Sequence, residues 1–436
     1  MYYSTRISTA INGSSLLQRI VIIAVFSFLI YGSIYGLRKP FSAGTYGSIE
    51  PVLGINYKIL LVTAQVAGYA FSKFLGITFI SGSGFKNKGR SLIGIAVIAE
   101  LALLGFSCTP APWNVAWMFI NGIPLGMGWG LVFGYLEGRR ETDIWASILC
   151  VNFIVSSGFS KSVGRYLIER AGIAEQWMPF YAGLLFFPVL LISVWVLEHL
   201  KPPGPVDKAF GSERQAMCST DRKQVLREFG PGLVLLSSAY LVLTIIRDVR
   251  DNFSVEIWEN LGYYSQPALF IQSEVPIAMV VLMLVGGLYW VKNHFVAFRL
   301  ILLMSGMGAF LLVVATYLFH RGQVSPLVWM MASGSGLFLP YVLFNGTLFD
   351  RFIASFKVKG NVGFMMYISD TVGYFGSVIV LLWKNYGGQE ISWLTFFINL
   401  GYWGAGVVLI LTALSYLYFE KKRISQKEYS YGRKKI

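Results

Sequence analysis

His199-Leu200-Lys201-Pro202-Pro203-Gly204-Pro205, continuing to Lys223-Gln224, is the longest polar stretch in this chain of 436 residues, and it divides the sequence into two halves of equal pattern. Its prolines, glycine and charges mark a linker. Toward the N-terminus lie six apolar runs, Leu17–Leu37, Tyr57–Ile80, Leu92–Cys108, Trp113–Leu136, Ile144–Ile168 and Trp177–Leu197. Toward the C-terminus lie six more, Phe229–Val249, Pro267–Val291, Phe295–Phe319, Leu327–Phe349, Val362–Trp383 and Trp393–Phe419. About 20 residues of helix cross the roughly 30 Å of hydrocarbon in a bilayer, so each run is long enough to span.

Composition agrees. Hydrophobic residues make up 55% of the chain and charged residues 13%, with a mean hydropathy of +0.59, which a soluble domain of this length could not cover with polar surface. The net charge of +14 does not indicate nucleic acid, because most Lys and Arg fall in the short segments between apolar runs. Arg6, Arg19, Lys86, Lys88, Arg90, Arg139, Arg140, the linker cluster, Lys292, Arg299, Arg351, Lys357, Lys359 and the tail lie on one side; the other side has Lys58, Arg165, Arg170, Arg321 and Lys384. The positive-inside rule then predicts cytoplasmic termini and a cytoplasmic linker. The N-terminal run lacks a small-residue cleavage pattern and reads as a retained helix. Cys108, Cys150 and Cys218 are far apart, which suggests neither a disulfide framework nor a metal site, and no cofactor is expected.

The expected fold is an all-α integral membrane protein of twelve transmembrane helices in two pseudo-symmetric six-helix halves, the layout of the major facilitator fold. The divisions are 1–198 for the first half, 199–228 for the linker, 229–419 for the second half and 420–436 for a basic tail.

Charges inside the spans or at their ends point to function: Arg38, Lys39, Lys73, Glu100, Lys161, Arg247, Asp248, Arg250, Asp251, Glu274 and Asp370. Such residues cost roughly 2.5–3.5 kcal/mol each on insertion scales, so they snorkel to an interface or face a watery interior. Cations dominate, and a planar guanidinium matches two oxygens of a phosphate or carboxylate. Arg38 follows Arg19 by 19 residues and Arg247 follows Arg227 by 20, so each half carries an arginine to a similar depth. At about 1.5 Å per residue that depth is nearly the full hydrocarbon thickness, and spacing alone leaves an interfacial anchor and a cavity contact equally open. Arg247-Asp248-Val249-Arg250-Asp251 is likewise compatible with a closed ion-pair cluster at the mouth. Lys73 is too deep for a loop, Glu274 and Asp370 are its candidate partners or proton carriers, and Glu100 is expected to be locally paired or interfacial. Tyr31 and Tyr35 precede Arg38 on nearly one helix face. Gly122–Gly130 and Gly334-Ser335-Gly336 read as close helix packing.

At these residues the chain resembles the organophosphate:phosphate antiporter family of the major facilitator superfamily. Tyr31, Tyr35, Arg38 and Lys39 are similar to its first-helix Tyr-x-x-x-Tyr-x-x-Arg-Lys, and Tyr69-x-Phe71-Ser72-Lys73-Phe74 to its second-helix string. Gly126-Met127-Gly128-Trp129, Arg247, Glu274 and Gly373-Tyr374-Phe375-Gly376 match further family positions. The resemblance implies that Arg38 and Arg247 hold a substrate phosphate, with Lys73 adding charge and Tyr31, Tyr35, Tyr69 and Tyr374 donating hydrogen bonds. Lys39 and Trp129 complete that binding set. Glu274 would form salt bridges that change between states, and Asp370, Arg250 and Asp251 join it as coupling or gating candidates. Four features depart from the family: Ser147–Ser160 contains no histidine, Gly82–Arg90 lacks the acid of its loop motif, and neither Asp370 nor the doubled Arg-Asp pair at Arg247–Asp251 has a counterpart. Lys161 either compensates for the missing histidine or sits toward the outer end of its helix.

The function expected is secondary transport of a small organic anion, an organophosphate exchanged for inorganic phosphate, by a monomer in a bacterial-type inner membrane. A proton-coupled carrier of a sugar acid or other carboxylate and a transporter-like sensor of sugar phosphates are the alternatives. The three histidines lie at span ends or loops and no paired-carboxylate site or nucleophile motif is present, so an enzyme is not expected.

Overall fold

The computed structural model describes residues 4–80, 87–136, 139, 142–201, 219–264, 266–358, 362–386 and 391–433. Twelve long helices run through the described residues. The first half holds α1 (Leu16–Gly36), α2 (Tyr57–Ile80), α3 (Lys88–Cys108), α4 (Val115–Leu136), α5 (Thr142–Glu169) and α6 (Met178–Leu197). The second holds α7 (Ser219–Asn252), α8 (Leu269–Gly287), α9 (His294–His320), α10 (Pro326–Leu343, continuing to Phe356), α11 (Val362–Tyr386) and α12 (Trp393–Asn399, continuing from Ala405 to Arg433). Ten of them are long and apolar enough to cross a membrane. The other two, α2 and α11, have 24 and 25 residues and carry Lys73 and Asp370 toward each other.

Polar caps set where several helices begin. The Ser15 side chain accepts from the Gln18 N–H while the Gln18 side chain accepts from the Ser15 N–H, a reciprocal box that starts α1. Ser325 and Ser392 cap α10 and α12, and Asn293 caps α9. Along the spans, large apolar side chains such as Leu17, Ile192, Met283, Met307, Phe310 and Leu417 are exposed, as they must be where lipid replaces water. The chain is a multi-pass membrane protein.

Packing repeats with a shift of six helices. In the first half α1 packs on α5 and α6, α3 on α4 and α6, and α2 on α4; in the second α7 packs on α11 and α12, α9 on α10 and α12, and α8 on α10. The halves meet through α2 against α11 and α5 against α8, a pair of contacts related by the same shift. Glycines allow the closest approaches. A Cβ on Gly122 would lie 2.3 Å from the Gln65 carbonyl, and one on Gly68 would lie 2.1 Å from that of Phe119, which brings α2 and α4 nearly backbone to backbone. Gly308 and Gly336 do the same for α9 and α10.

Some boundaries move. α7 begins at Ser219, ten residues inside the stretch 199–228 read as linker, because Thr220–Asn252 forms one continuous helix past Pro231. The basic tail is helical as far as Arg433, as an extension of α12. α4 is interrupted after Leu125, one residue past Pro124, and resumes at Gly128. α10 and α12 each contain a π-helical segment, Phe344–Leu348 and Leu400–Gly404. Residues 202–218 and the loop string at 82–86 lie outside the described residues. A short helix, Thr5–Gly13, is tied to the end of α6 by Ser4 N–H donating to His199 Nε2 at 2.8 Å. This end of the bundle, where α1 and α7 begin, is called proximal below, and the opposite end distal.

Candidate functional site

α1 ends at Gly36, and Leu37 caps it through its N–H to Ser33. Arg38 and Lys39 therefore sit in the turn beyond the helix, ahead of a single 3-10 turn at Pro40–Ala43. Both are folded inward, 5% and 4% exposed, so neither is an interfacial anchor. The turn is held from several sides. Gln65 Nε2 donates to the Arg38 carbonyl at 2.9 Å and to Asn121 Oδ1 at 2.8 Å, Asn121 Nδ2 donates to the Leu37 carbonyl, and Lys58 Nζ donates to the Ser42 carbonyl. Glu175, from the loop between α5 and α6, accepts from the N–H groups of Thr45 and Tyr46 at 2.7 Å each.

The Arg38 guanidinium lies over the Tyr69 ring, 3.9 Å from its centroid. Among the described residues it has no carboxylate partner, and its buried Nε has no hydrogen-bond acceptor. Ring stacking compensates a desolvated cation by about 2 kcal/mol, far less than a carboxylate would. Arg247 differs. Its Nε donates to Asp248 Oδ1 at 3.1 Å, its Nη1 to the Tyr341 hydroxyl, and it stacks on the rings of Tyr341 and Tyr374. The remaining oxygen of Asp248 is buried and has no partner among the described residues.

Between these groups lies a narrow cavity, walled by Tyr31, Tyr35, Tyr69, Lys73 and Trp129 from the first half and by Arg247, Tyr341, Asn345, Asp370 and Tyr374 from the second. Tyr69 and Tyr374 meet edge to face across the halves at 5.0 Å, and Tyr31 meets Tyr35 at 5.4 Å. Lys73 pairs with Asp370 at 3.0 Å, again across the halves. Asp370 also accepts from Tyr240 at 2.5 Å, and Tyr240 accepts from Asn345 at 2.8 Å. A second recess on the distal side brings together Arg38, Lys39, Arg247, Asp251 and Glu274.

Beyond that recess the distal end is closed by charge. Asp251 of α7 takes Lys39 and Lys161 of the first half together, with Lys161 at 2.8 Å, and also accepts from Ser157. Lys58 pairs with Glu256 at 2.6 Å and Arg165 with Glu259 at 2.9 Å. The acids stand on the second half, two of them on the short helix Ser254–Asn260, and all four cations stand on the first. Burial within this charge set pushes the Glu256 carboxyl above the usual carboxylate range, against the opposing pull of Lys58.

The geometry sorts the sequence candidates. Tyr31, Tyr35, Tyr69, Lys73, Trp129, Arg247, Asp370 and Tyr374 all wall the central cavity, with Arg38 just beyond. Lys39 instead turns to Asp251 and to Asn252 Oδ1. Arg247 to Asp251 do not form a closed cluster: Arg247 pairs with Asp248, Asp251 crosses to the first half, and Arg250 pairs with Glu274 at 2.6 Å within its own half. Lys161 does not face the cavity but ends on Asp251. Glu100, expected to be locally paired or interfacial, is neither: it is buried, and among the described residues both its oxygens lack a partner.

Tyr240, Tyr341 and Asn345 escaped the sequence reading, as did Gln65, Asn121, Glu256 and Glu259. One signal was available. Tyr240 precedes Arg247 by seven residues, as Tyr31 precedes Arg38, so the internal repeat that pairs the arginines also pairs these tyrosines.

The fold is that of major facilitator transporters. The chain superposes on the crystal structure of a D-xylose–proton symporter with a TM-score of 0.63 and 15% identity, covering 93% of this chain and 97% of that one. It superposes on the human organic anion transporter MFSD10 with a TM-score of 0.58 and 14% identity, covering 92% of this chain and all of the other. No curated protein matches it by sequence. The model of one sequence family matches residues 40–422, which takes in the eleven helices after the first, the last of them as far as residue 422, and the chain thus belongs to the family described as a family of unknown function, DUF5690.

Proposed function

We propose that the protein is a secondary transporter of a small organic anion, working by alternating access around the cavity between Arg38 and Arg247. One observation carries this reading: Arg38 is buried just beyond the cavity, in the adjoining recess, with the Tyr69 ring beneath it and, among the described residues, no carboxylate paired with it. Among the described residues, six buried cations along this axis, Arg38, Lys39, Lys73, Lys161, Arg247 and Arg250, stand against four carboxylates, Asp248, Asp251, Glu274 and Asp370. The surplus of two positive charges lies in a low-dielectric interior and favours an anion over a neutral sugar. The finer reading is an organophosphate exchanged for inorganic phosphate. A guanidinium fork and a lysine suit a tetrahedral dianion, and the resemblance of the first two helices to organophosphate antiporters supports the same class. An empty site with surplus charge resists reorientation, so one anion leaves only as another enters. The two six-helix halves, 1–198 and 229–419, are the moving bodies, the proximal end faces the cytoplasm of a bacterial-type inner membrane, and the working unit is a monomer.

A second reading is proton-coupled transport of a carboxylate. Asp370 favours it, since it is buried between Lys73 and Tyr240 at an ion pair that touches the cavity from both halves. Protonation of Asp370 would release Lys73 to a substrate.

Counterflow in proteoliposomes loaded with inorganic phosphate, challenged with sugar phosphates, glycerol phosphates and sugar acids, separates these readings. Saturable exchange that disappears in Arg38→Ala and Arg247→Ala supports the anion carrier. Binding of unchanged affinity in both variants refutes it. Proton movement that accompanies uptake and is lost in Asp370→Asn moves the assignment to the second reading.

A further inference from the structure

Glu100 lies midway along α3, 8% exposed, with both carboxylate oxygens buried and without a hydrogen-bond partner. It faces α6, not the cavity. A Cβ on Gly183 would sit 2.0 Å from its Oε2, so the carboxyl rests on the bare backbone of that glycine, and the position has been left open for it. α3 packs on α4 and α6, and among the described residues neither gives Glu100 an ion pair or a hydrogen bond. Tyr181 of α6 is exposed among Trp177 and Phe180. Tyr135 of α4 bonds Glu198, beside Gly89 at the start of α3, roughly 16 Å from Glu100 along the helix axis. Arg38, Lys39, Lys73 and Arg247 are engaged in the contacts described above.

An ionised carboxylate in this setting would have no donor and no counter-charge, and the cost of burying such an anion far exceeds that of binding a proton. A polar seam runs close by. The carbonyl of the adjoining residue, Ala99, accepts from Asn121 Nδ2 at 3.1 Å, and Asn121 continues through Gln65 to the carbonyl of Arg38. We propose that Glu100 is a proton-binding site, separate from the central cavity, that holds one proton between α3 and α6 behind the peptide that carries Arg38. Nothing in this depends on which anion the cavity takes.

The test is the infrared spectrum of the purified full chain in liposomes at about pH 7, where unperturbed carboxylates are ionised. The carbonyl stretch of a protonated carboxylic acid should be present in the wild type and reduced in Glu100→Gln. Glu100→Met serves as a second variant should the amide fail to fold. N,N′-dicyclohexylcarbodiimide, which adds to protonated acids in apolar surroundings, should modify the Glu100 peptide in the wild type. A spectrum unchanged by either substitution, or modification of Asp370 with none at Glu100, overturns the proposal. Because neither readout involves transport, failure here is distinct from failure of the anion-carrier reading.

Discussion

Asp251→Asn is the most informative single substitution at the distal closure. The side chain is buried, and Lys39 and Lys161 both end on it from the other half. Removing one partner of a buried ion pair costs about 3–5 kcal/mol, because the charge left behind stays desolvated. Here the low end applies. Asparagine keeps an acceptor oxygen, Lys161 retains the Asp251 main-chain carbonyl at 3.1 Å, and Lys39 retains Asn252 Oδ1 at 2.8 Å. If the two halves separate at this end during transport, the whole loss falls on the closed form. A bias of about 3 kcal/mol toward opening is a population shift of roughly a hundredfold. The assay is the rate of maleimide reaction at Ser254→Cys, buried in the closed form, with Cys108, Cys150 and Cys218 replaced. The rate should rise by up to that factor in Asp251→Asn, saturating once the open form predominates. With Lys39→Met and Lys161→Met already present the same substitution should lower the rate, since it then removes a carboxylate left stranded in the closed form. A rate unchanged by Asp251→Asn, with a lowered thermal midpoint, would refute the reasoning and make the cluster a static structural bond.

Arg38→Lys keeps the charge but loses the planar fork and the face-on stacking over Tyr69, and anion affinity should fall roughly tenfold or more by equilibrium binding. Gly122→Ala drives a methyl into the Gln65 carbonyl and should cost about 1–3 kcal/mol of stability by thermal denaturation, whereas Gly306→Ala meets Thr412 only at 3.7 Å and should be nearly neutral. Asp370→Asn frees one side of Lys73 and leaves Tyr240 a neutral acceptor; under phosphate exchange the affinity for anion rises, and under proton coupling uptake no longer follows the pH gradient.

The architecture was legible because a bilayer leaves so few options: twelve apolar runs split six and six by a Pro-Pro-Gly-Pro linker admit few other arrangements. The linker boundary was not legible, since Ser219–Arg227 is polar in sequence yet helical, and a helix that leaves the membrane carries no hydropathy signal. At the site, residues whose charge is costly in a membrane announced themselves, as Lys73 and Asp370 did. Neutral members did not. Gln65 and Asn121 are ordinary in composition and matter only because they satisfy the carbonyls around Arg38, which is a fact of contact. Glu256 and Glu259 went unnoticed because the short helix that carries them lies outside every apolar run.

Which cations remain available was the least legible property, and it decides the functional reading. Charge counting alone treats Arg38, Lys39, Lys161 and Arg250 alike. Lys39 and Lys161 are consumed by Asp251 and Arg250 by Glu274, each at the distal end or within one half. Arg247 keeps a neighbouring carboxylate that orients it without leaving the cavity. Arg38 alone among these is stacked and, among the described residues, without an ion-pair partner, so the pairing that closes the distal end leaves one arginine uncompensated, the one to which the proposed anion would bind. An anion reaching Arg38 draws on charge from the first half and, through Arg247, from the second. Its binding energy therefore acts on both halves at once, as a substrate must if it is to change how they sit against each other.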